Sequence, residues 1–329
     1  MVKLSLSYEM RIPDFGPPGE ALYEAALDQC EWADGLGFDS VTLSEHHASP
    51  DGYMPSPLIM ASAVGARTKR MRISISLILL PFYHPHRLAE DAAVCDLICG
   101  GRLDLMFGAG YREEEFDMYG LDLHERGRTM KEGIEFLKLA WTGEPFEWQG
   151  RTVHVLPRPA QRPRPKIILG GASPASARRA ARIADGYAPI APRLYEIYLE
   201  ELTKLGKPLP EGGDPGVGGS TIVAVSDDPE RTWASIERNL MHDAVVYAGW
   251  TGGRKGAMFA QVQTSEELKA SGQYVVLTPE ECLEKGQGGG YLRFRPLVGG
   301  IDPAIAWESL QLFADKVLPK LEVEAPSAG

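Results

Sequence analysis

The chain is poor in cysteine, in basic runs and in long apolar stretches, and each shortage removes a class of function. Four cysteines in 329 residues cannot form a disulfide framework. Cys95 and Cys99 stand one helical turn apart, and no Cys-x-x-Cys pair is available for zinc or redox work. Reduced thiols in the cytoplasm are the expectation. The most apolar stretch, from Ile73 to Tyr83, is too short to span a bilayer and carries serines and a proline. The opening MVKLSLSYEMR lacks a signal-peptide core, so neither export nor a membrane partner is expected. Lysine and arginine total 34 against 45 aspartate and glutamate, a net charge of -11. With no dense basic run, a nucleic-acid partner is not expected. No Gly-x-Ser-x-Gly elbow and no Walker loop occur, which weakens serine-hydrolase and nucleoside-triphosphatase readings.

What is present is a rhythm. The chain is 44% hydrophobic, enough for a large core. Short apolar runs at 3–8, 38–44, 72–80, 102–108 and 166–169 alternate with amphipathic helical segments at 20–36, 56–68, 84–98, 125–141 and 173–184. Weaker strands follow at 186–190, 220–225 and 291–294, and a helix at 302–318 closes the series. Eight strand–helix units predict a parallel sheet closed into a (β/α)8 TIM barrel, α/β in class. Helix starts are marked by an oxygen-bearing cap before proline at Ser56, Ser173, Asp228, Thr278 and Asp302, and Thr278 with Glu281 fits a capping box. One domain over 1–321 is expected, with insertions near 145–157 (a small hairpin or flap) and 240–276, and a frayed tail at 322–329. The second insertion, with glycines at 249, 252, 253 and 256, reads as a long loop of the kind that forms lids.

Chemistry in such a barrel sits at the C-terminal ends of strands. Glu45-His46-His47 stands there after the second strand, where histidine can donate a hydrogen bond or move protons near neutral pH. A polar structural corner is the competing reading. A metal centre needs a third ligand from another strand, and none is identified, so no metal is assigned. His84-Pro85-His86 reads equally as packing at a helix start. Gly108-Ala109-Gly110-Tyr111 lets backbone approach a flat ligand or an anion, and lacks the third glycine of a dinucleotide fingerprint. Gly170-Gly171-Ala172-Ser173 opens a helix carrying Arg178 and Arg179, a phosphate cradle or an ordinary tight turn. Arg126 and Arg128 add positive charge or pair with Glu125 and Glu132.

At these residues the chain resembles the bacterial luciferase-like flavin-dependent oxidoreductases. The matching pieces run in order: Gly37-Phe38-Asp39-Ser40-Val41 into Glu45-His46-His47, Ala66-Arg67-Thr68, Leu80-Pro81 with His84-Pro85 and Arg87, and Gly100-Gly101-Arg102-Leu103. They continue through Gly108-Ala109-Gly110-Tyr111, Glu115-Phe116, Gly120, Glu125-Arg126-Gly127-Arg128, Leu169-Gly170-Gly171, Arg179-Ala180-Ala181 and Ala184-Asp185-Gly186 to Ser309-Leu310 and Val317-Leu318-Pro319.

The resemblance implies a (β/α)8 barrel with a lid, and a cofactor that is reduced FMN supplied by a separate flavin reductase, or alternatively F420. It implies a monooxygenase that uses oxygen to oxidise a small apolar organic substrate; the F420 alternative is hydride transfer without oxygen. A flavin-binding barrel without turnover is a third reading, and a metal-dependent barrel hydrolase a more distant one. Carried over by residue, His46 is the catalytic histidine, with Glu45 and His47 orienting it. Ser76-Leu77 falls where the family often has a non-prolyl cis peptide under the flavin. Gly108 to Tyr111 and Gly170 line the cofactor, and Arg128 with Gly171, Ala172 and Ser173 match its phosphate-binding positions. Ala109 departs from luciferase, which has an arginine there. Phe82, Tyr83, Tyr111 and Trp250 are candidate pocket walls, the 240–276 segment is the candidate water shield, and helices at 56–68 and 84–98 are candidate homodimer contacts.

Overall fold

The computed structural model describes residues 1–210, 221–251 and 261–323. Eleven strands are described: β1 (Val2–Tyr8), β2 (Ser40–Leu43), β3 (Arg72–Leu79), β4 (Leu103–Gly108), β5 (Phe146–Trp148), β6 (Arg151–Val153), β7 (Ile167–Gly171), β8 (Gly186–Pro189), β9 (Thr221–Val225), β10 (Tyr274–Leu277) and β11 (Gly290–Phe294). Nine of them pair in parallel in the order β10-β9-β11-β1-β2-β3-β4-β7-β8, and β5 and β6 form a separate antiparallel hairpin. The run from β1 to β8 follows chain order while β11 returns to β1, which is how successive βα units place their strands in an α/β barrel.

Alternate strand residues supply the core. Leu4, Leu6, Val41, Leu43, Ile73, Ile75, Leu103, Leu105, Phe107 and Ile167 are all buried, as the two-residue period of a strand requires. Helices Gly19–Gly35, Pro57–Arg67, Pro85–Ile98 and Arg126–Ala140 cover the sheet between successive strands. Four of the five expected caps form as side-chain hydrogen bonds: capping boxes at Ser173 with Ser176 and at Thr278 with Glu281, Asp302 accepting from the Ala304 N–H, and Asp228 accepting from the Arg231 N–H at 3.1 Å. Ser56 makes no side-chain capping bond among the described residues.

Two expectations change. The parallel strands number nine, because Tyr274–Leu277 is a strand bonded to β9. The 240–276 segment is accordingly not one long loop. Helix Pro229–Thr251 runs on through its first part, helix Ser265–Ser271 follows, and β10 closes it. Trp233, Ile236, Leu240 and Ala244 of the long helix pack with Leu268 and Tyr274 in a second apolar cluster, and this burial turns the segment into ordered structure. Gly252, Gly253 and Gly256 lie outside the described residues. The tail expected to fray from 322 is held at its start, where the Val2 N–H donates to the Glu322 carbonyl at 2.9 Å and Val323 bridges to Val2; residues 324–329 lie outside the described residues. No described helix is long and apolar enough to cross a membrane.

Candidate active site

β2 ends at Leu43, and the chain then turns across the C-terminal edge of the sheet carrying three ionisable groups into the interior. Glu45, His46 and His47 are 2%, 8% and 6% exposed. Glu45 is fixed from both oxygens: Oε1 lies 2.7 Å from His47 Nε2 and Oε2 accepts the Leu79 N–H at 3.0 Å. Burial raises the Glu45 pKa, with His47, the Leu79 N–H and Tyr83 pulling it back. The Tyr119 hydroxyl lies 3.1 Å from His47 Nδ1, so both ring nitrogens of His47 are engaged and the ring is held as a positioning group.

His46 is different. Its Nδ1 meets Glu115 Oε1 at 2.8 Å, and the same oxygen accepts the His47 backbone N–H at 2.9 Å and Arg112 Nη1 at 3.3 Å. Burial pulls the His46 pKa down, as do the Arg112 and Arg11 charges, and Glu115 offsets this only partly. Burial alone would raise Glu115, but His46, the His47 N–H and Arg112 bring its pKa down, so it stays an anionic acceptor. A carboxylate fixes the His46 proton on Nδ1, which leaves a lone pair on Nε2 of a neutral imidazole. That ring sits in an aromatic box, with centroids of Trp250, Tyr53, Tyr111 and Tyr247 at 4.5, 5.1, 5.7 and 6.3 Å. Among the described residues no group of three or more His, Cys, Asp or Glu is arranged to hold a metal ion.

Glu115 lies on helix Glu113–Tyr119, which has no counterpart in the elements read from sequence; its acidic first turn of three glutamates was the available signal. Arg11 is a second missed residue. It is fully buried past the end of β1, with Nε on Asp243 at 2.7 Å and Nη1 on Asp51 at 2.6 Å. His242 Nε2 lies 2.8 Å from Asp51, the Tyr274 hydroxyl donates to Asp243, and Arg295 pairs with Glu9 at 2.8 Å.

At the ends of β3, β4 and β7 the Leu77 side chain packs against two glycines. The Ser76-Leu77 peptide is cis, and the β3–β4 register shifts between Ile75 and Ile78. A Cβ added at Gly108 would stand 2.6 Å from the Leu77 side chain, and one at Gly170 would stand 2.5 Å from it. Any larger residue at either position collides. Leu77, Gly108 and Gly170 therefore come together, with Ala109 beyond them and Gly110 turning the chain at φ 74°. Tyr111 follows and reaches His46.

The anion-binding expectation divides. Ser173 caps helix Pro174–Ile183, and Gly171 packs against Ser176 while its carbonyl accepts from the Tyr187 hydroxyl at 2.8 Å. Ala172 and Ser173 are exposed at that helix start. Arg128 is not brought in: it is exposed and bound to Glu125 at 2.6 Å and to Glu132 at 4.0 Å on its own helix. Residues two apart on a helix point to nearly opposite sides. Arg179 takes the facing side instead, with Nη2 against Gly127, 2.8 Å from where a Cβ would be. Half-buried and without a salt bridge among the described residues, Arg179 has its pKa lowered by burial and by the Arg126 charge. Arg179 thus lies at the N-terminus of helix Arg126–Ala140, near a second positive charge.

Residues 9–285 match the luciferase-like monooxygenase family. The chain belongs to that family. A member-level comparison splits two ways. The chain is 29% identical to an F420-dependent glucose-6-phosphate dehydrogenase of Microbacterium testaceum, over 97% of this chain and 98% of that one. It is 31% identical to the oxygenase component of a flavin-dependent trigonelline monooxygenase of Acinetobacter baylyi, over 47% of this chain and 45% of that one. Its fold superposes on the crystal structure of monooxygenase RslO1 from Streptomyces bottropensis with a TM-score of 0.75 at 24% identity, covering 97% and 99% of the two chains. The luciferase-like fold is of the TIM-barrel type, and the family's members are oxidoreductases that include both monooxygenases and F420-dependent enzymes.

Proposed function

We propose that the chain is the oxygenase of a two-component flavin monooxygenase, taking reduced FMN from a separate reductase and oxidising a small organic molecule beside His46. The observation that carries this reading is a buried imidazole in an aromatic box: His46 is 8% exposed and walled by Tyr53, Tyr247 and Trp250, with Tyr111, 39% exposed, at the outer edge. Oxygen-activating flavin chemistry fails when water reaches it, so enclosure of this kind is its main structural demand.

The residues present fit a flavin. Gly108 and Gly170 let the Leu77 side chain lie close against the ends of β4 and β7, a low surface suited to a flat ring. Arg179 and Arg126, at the start of helix Arg126–Ala140, are cations suited to one terminal phosphate. A reduced flavin bound there supplies the electrons and activates oxygen. The chain's own groups do the rest. Glu115 fixes the proton on His46 Nδ1, and the free Nε2 lone pair accepts a proton from the substrate or returns it. His47 and Glu45, tied to each other and to the Leu79 N–H, hold the turn that positions His46. The exposed apolar side chains Ile59, Val94 and Leu156 line a cleft of about 570 Å³ beside helices Pro57–Arg67 and Pro85–Ile98 and support self-association through that face.

The full-length similarity to an F420-dependent dehydrogenase favours a second reading, hydride transfer without oxygen at the same histidine. Anaerobic titration with reduced FMN and with reduced F420 separates the two. Saturable binding of reduced FMN, with a reoxidation time course distinct from that of free reduced FMN once oxygen is admitted, supports the oxygenase. Tight F420 binding with no binding of reduced FMN refutes it.

A further inference from the structure

Arg11 carries a hydrogen-bond donor that no described residue takes up. Its Nε and Nη1 are taken by Asp243 and Asp51, and among the described residues its buried Nη2 has no hydrogen-bond partner. The guanidinium carbon stands 4.8 Å from the centroids of Tyr53, Tyr247 and Trp250, three of the four rings that surround His46. Those rings accommodate the charge, but an aromatic face is a poor acceptor for the remaining N–H groups. A buried unmade donor calls for an explanation, and here an occupant of the box provides one.

We propose that Arg11 Nη2 donates to a neutral carbonyl oxygen of the substrate, so that the enzyme selects oxygenated compounds over plain hydrocarbons. This rests on reading the aromatic box as the substrate site. The neutrality of the acceptor follows from the charges nearby. Glu9, Asp51 and Asp243 already share Arg11 and Arg295, while Glu115 is bound to Arg112 and His46 and Glu45 to His47. Five carboxylates among three arginines leave no surplus of positive charge for an anionic substrate. A polar neutral group uses the free N–H without adding charge. Trp250 marks the space: its ring lies 4.5 Å from His46, 4.8 Å from Arg11 and 4.2 Å from the guanidinium of Arg112. A flat molecule that displaces this indole meets the imidazole and the Arg11 donor together.

The test uses acetophenone, its hydrocarbon analogue ethylbenzene, and benzoate as the anionic comparison, each bound to the purified chain by equilibrium dialysis. Arg11→Met should weaken acetophenone binding by about tenfold or more while leaving ethylbenzene unchanged or tighter. Benzoate should bind more weakly than acetophenone. Arg11→Met strips Asp51 and Asp243 of their counter-charge and can unfold the chain, so a second measurement uses the wild type alone. The infrared carbonyl band of ¹³C-labelled acetophenone should stay at or below its position in water when bound. A band moved up to its position in a hydrocarbon solvent overturns the proposal, as does equal loss of both neutral probes in a folded variant, tighter binding of benzoate, or no saturable acetophenone binding. The reduced-FMN titration reads the oxygenase assignment separately, so either conclusion can fall without the other.

Discussion

Replacing Glu115 by glutamine changes one charge and almost no volume, and its consequence for His46 has a definite sign. Glu115 is fully buried and its Oε1 takes the His46 Nδ1 proton at 2.8 Å. Glutamine keeps an acceptor at the same place but not the negative charge. A hydrogen bond to a charged group is worth about 1.5–3 kcal/mol against about 1 kcal/mol for a neutral one. The difference of roughly 0.5–2 kcal/mol favours protonated His46 in the wild type and is lost in the variant. Since about 1.4 kcal/mol corresponds to one pKa unit, the His46 pKa, already below its ordinary value through burial and the Arg112 and Arg11 charges, should fall further by about one unit. The imidazole Cε1 proton titration by NMR reads this directly. If turnover needs neutral His46, the acid limb of kcat/KM should move to lower pH by the same amount. Stability gives an independent sign. Glu115 has a folded pKa below its unfolded value, so it contributes stability present above about pH 4.3 and lost as pH falls through its folded pKa. That acid-dependent loss should be smaller in Glu115→Gln. A His46 titration that does not move, or moves upward, refutes the pairing as the element that sets the histidine.

Four further substitutions test the rest of the site and the candidate dimer face. His46→Asn should leave reduced-cofactor binding intact and slow turnover by about a hundredfold or more; unchanged turnover removes the ring from the chemistry. Arg179→Ala should raise the reduced-FMN dissociation constant by about tenfold, while Arg128→Ala, exposed and tied to Glu125, should change it by less than about twofold. The reverse ranking in a fluorescence titration would return the phosphate to Arg128. Ile59→Asp, at a side chain 73% exposed beside the cleft, should shift sedimentation toward a monomer; an unaltered sedimentation profile rejects that face as the homodimer contact.

The parts of the fold legible in the sequence are those whose cause is local. β1 through β4 and the helices between them follow from apolar period and from glycine and proline punctuation. The caps at Ser173 and Thr278 are each specified within four consecutive positions. β10 was hidden because four apolar residues are too few for period to speak, and neighbouring glycines read as a loop. Helix Glu113–Tyr119, seven residues long, falls below the same threshold, and with it went Glu115 as the partner of His46. For Arg128 the resemblance gives a residue but not its helical phase, and the structure leaves it exposed and paired with Glu125. Arg11 was beyond reach for a plainer reason: its partner Asp243 is 232 positions away, and no local pattern connects them.

That distant pairing bears on why the site is built with charges at all. Arg11, Asp51, Asp243, Arg295 and Glu9 join the end of β1, the turn after β2, helix Pro229–Thr251 and the residue after β11. Desolvating such groups costs enough that well-packed apolar residues would often hold the same elements as firmly. Stability therefore does not require this network; directionality does. Asp51 and Asp243 grip two of the three nitrogens of Arg11 and so fix the direction of the third. Tyr53 and Tyr247, whose hydroxyls meet at 2.7 Å, lie against the guanidinium and against His46 alike. An apolar plug would hold the rings but leave no oriented donor among them. Exchanging Arg11, Asp51 and Asp243 together for methionine, asparagine and leucine should then keep or raise the unfolding midpoint while abolishing any preference for acetophenone over ethylbenzene. A large loss of stability together with retained preference would show that the network serves the fold instead of the pocket.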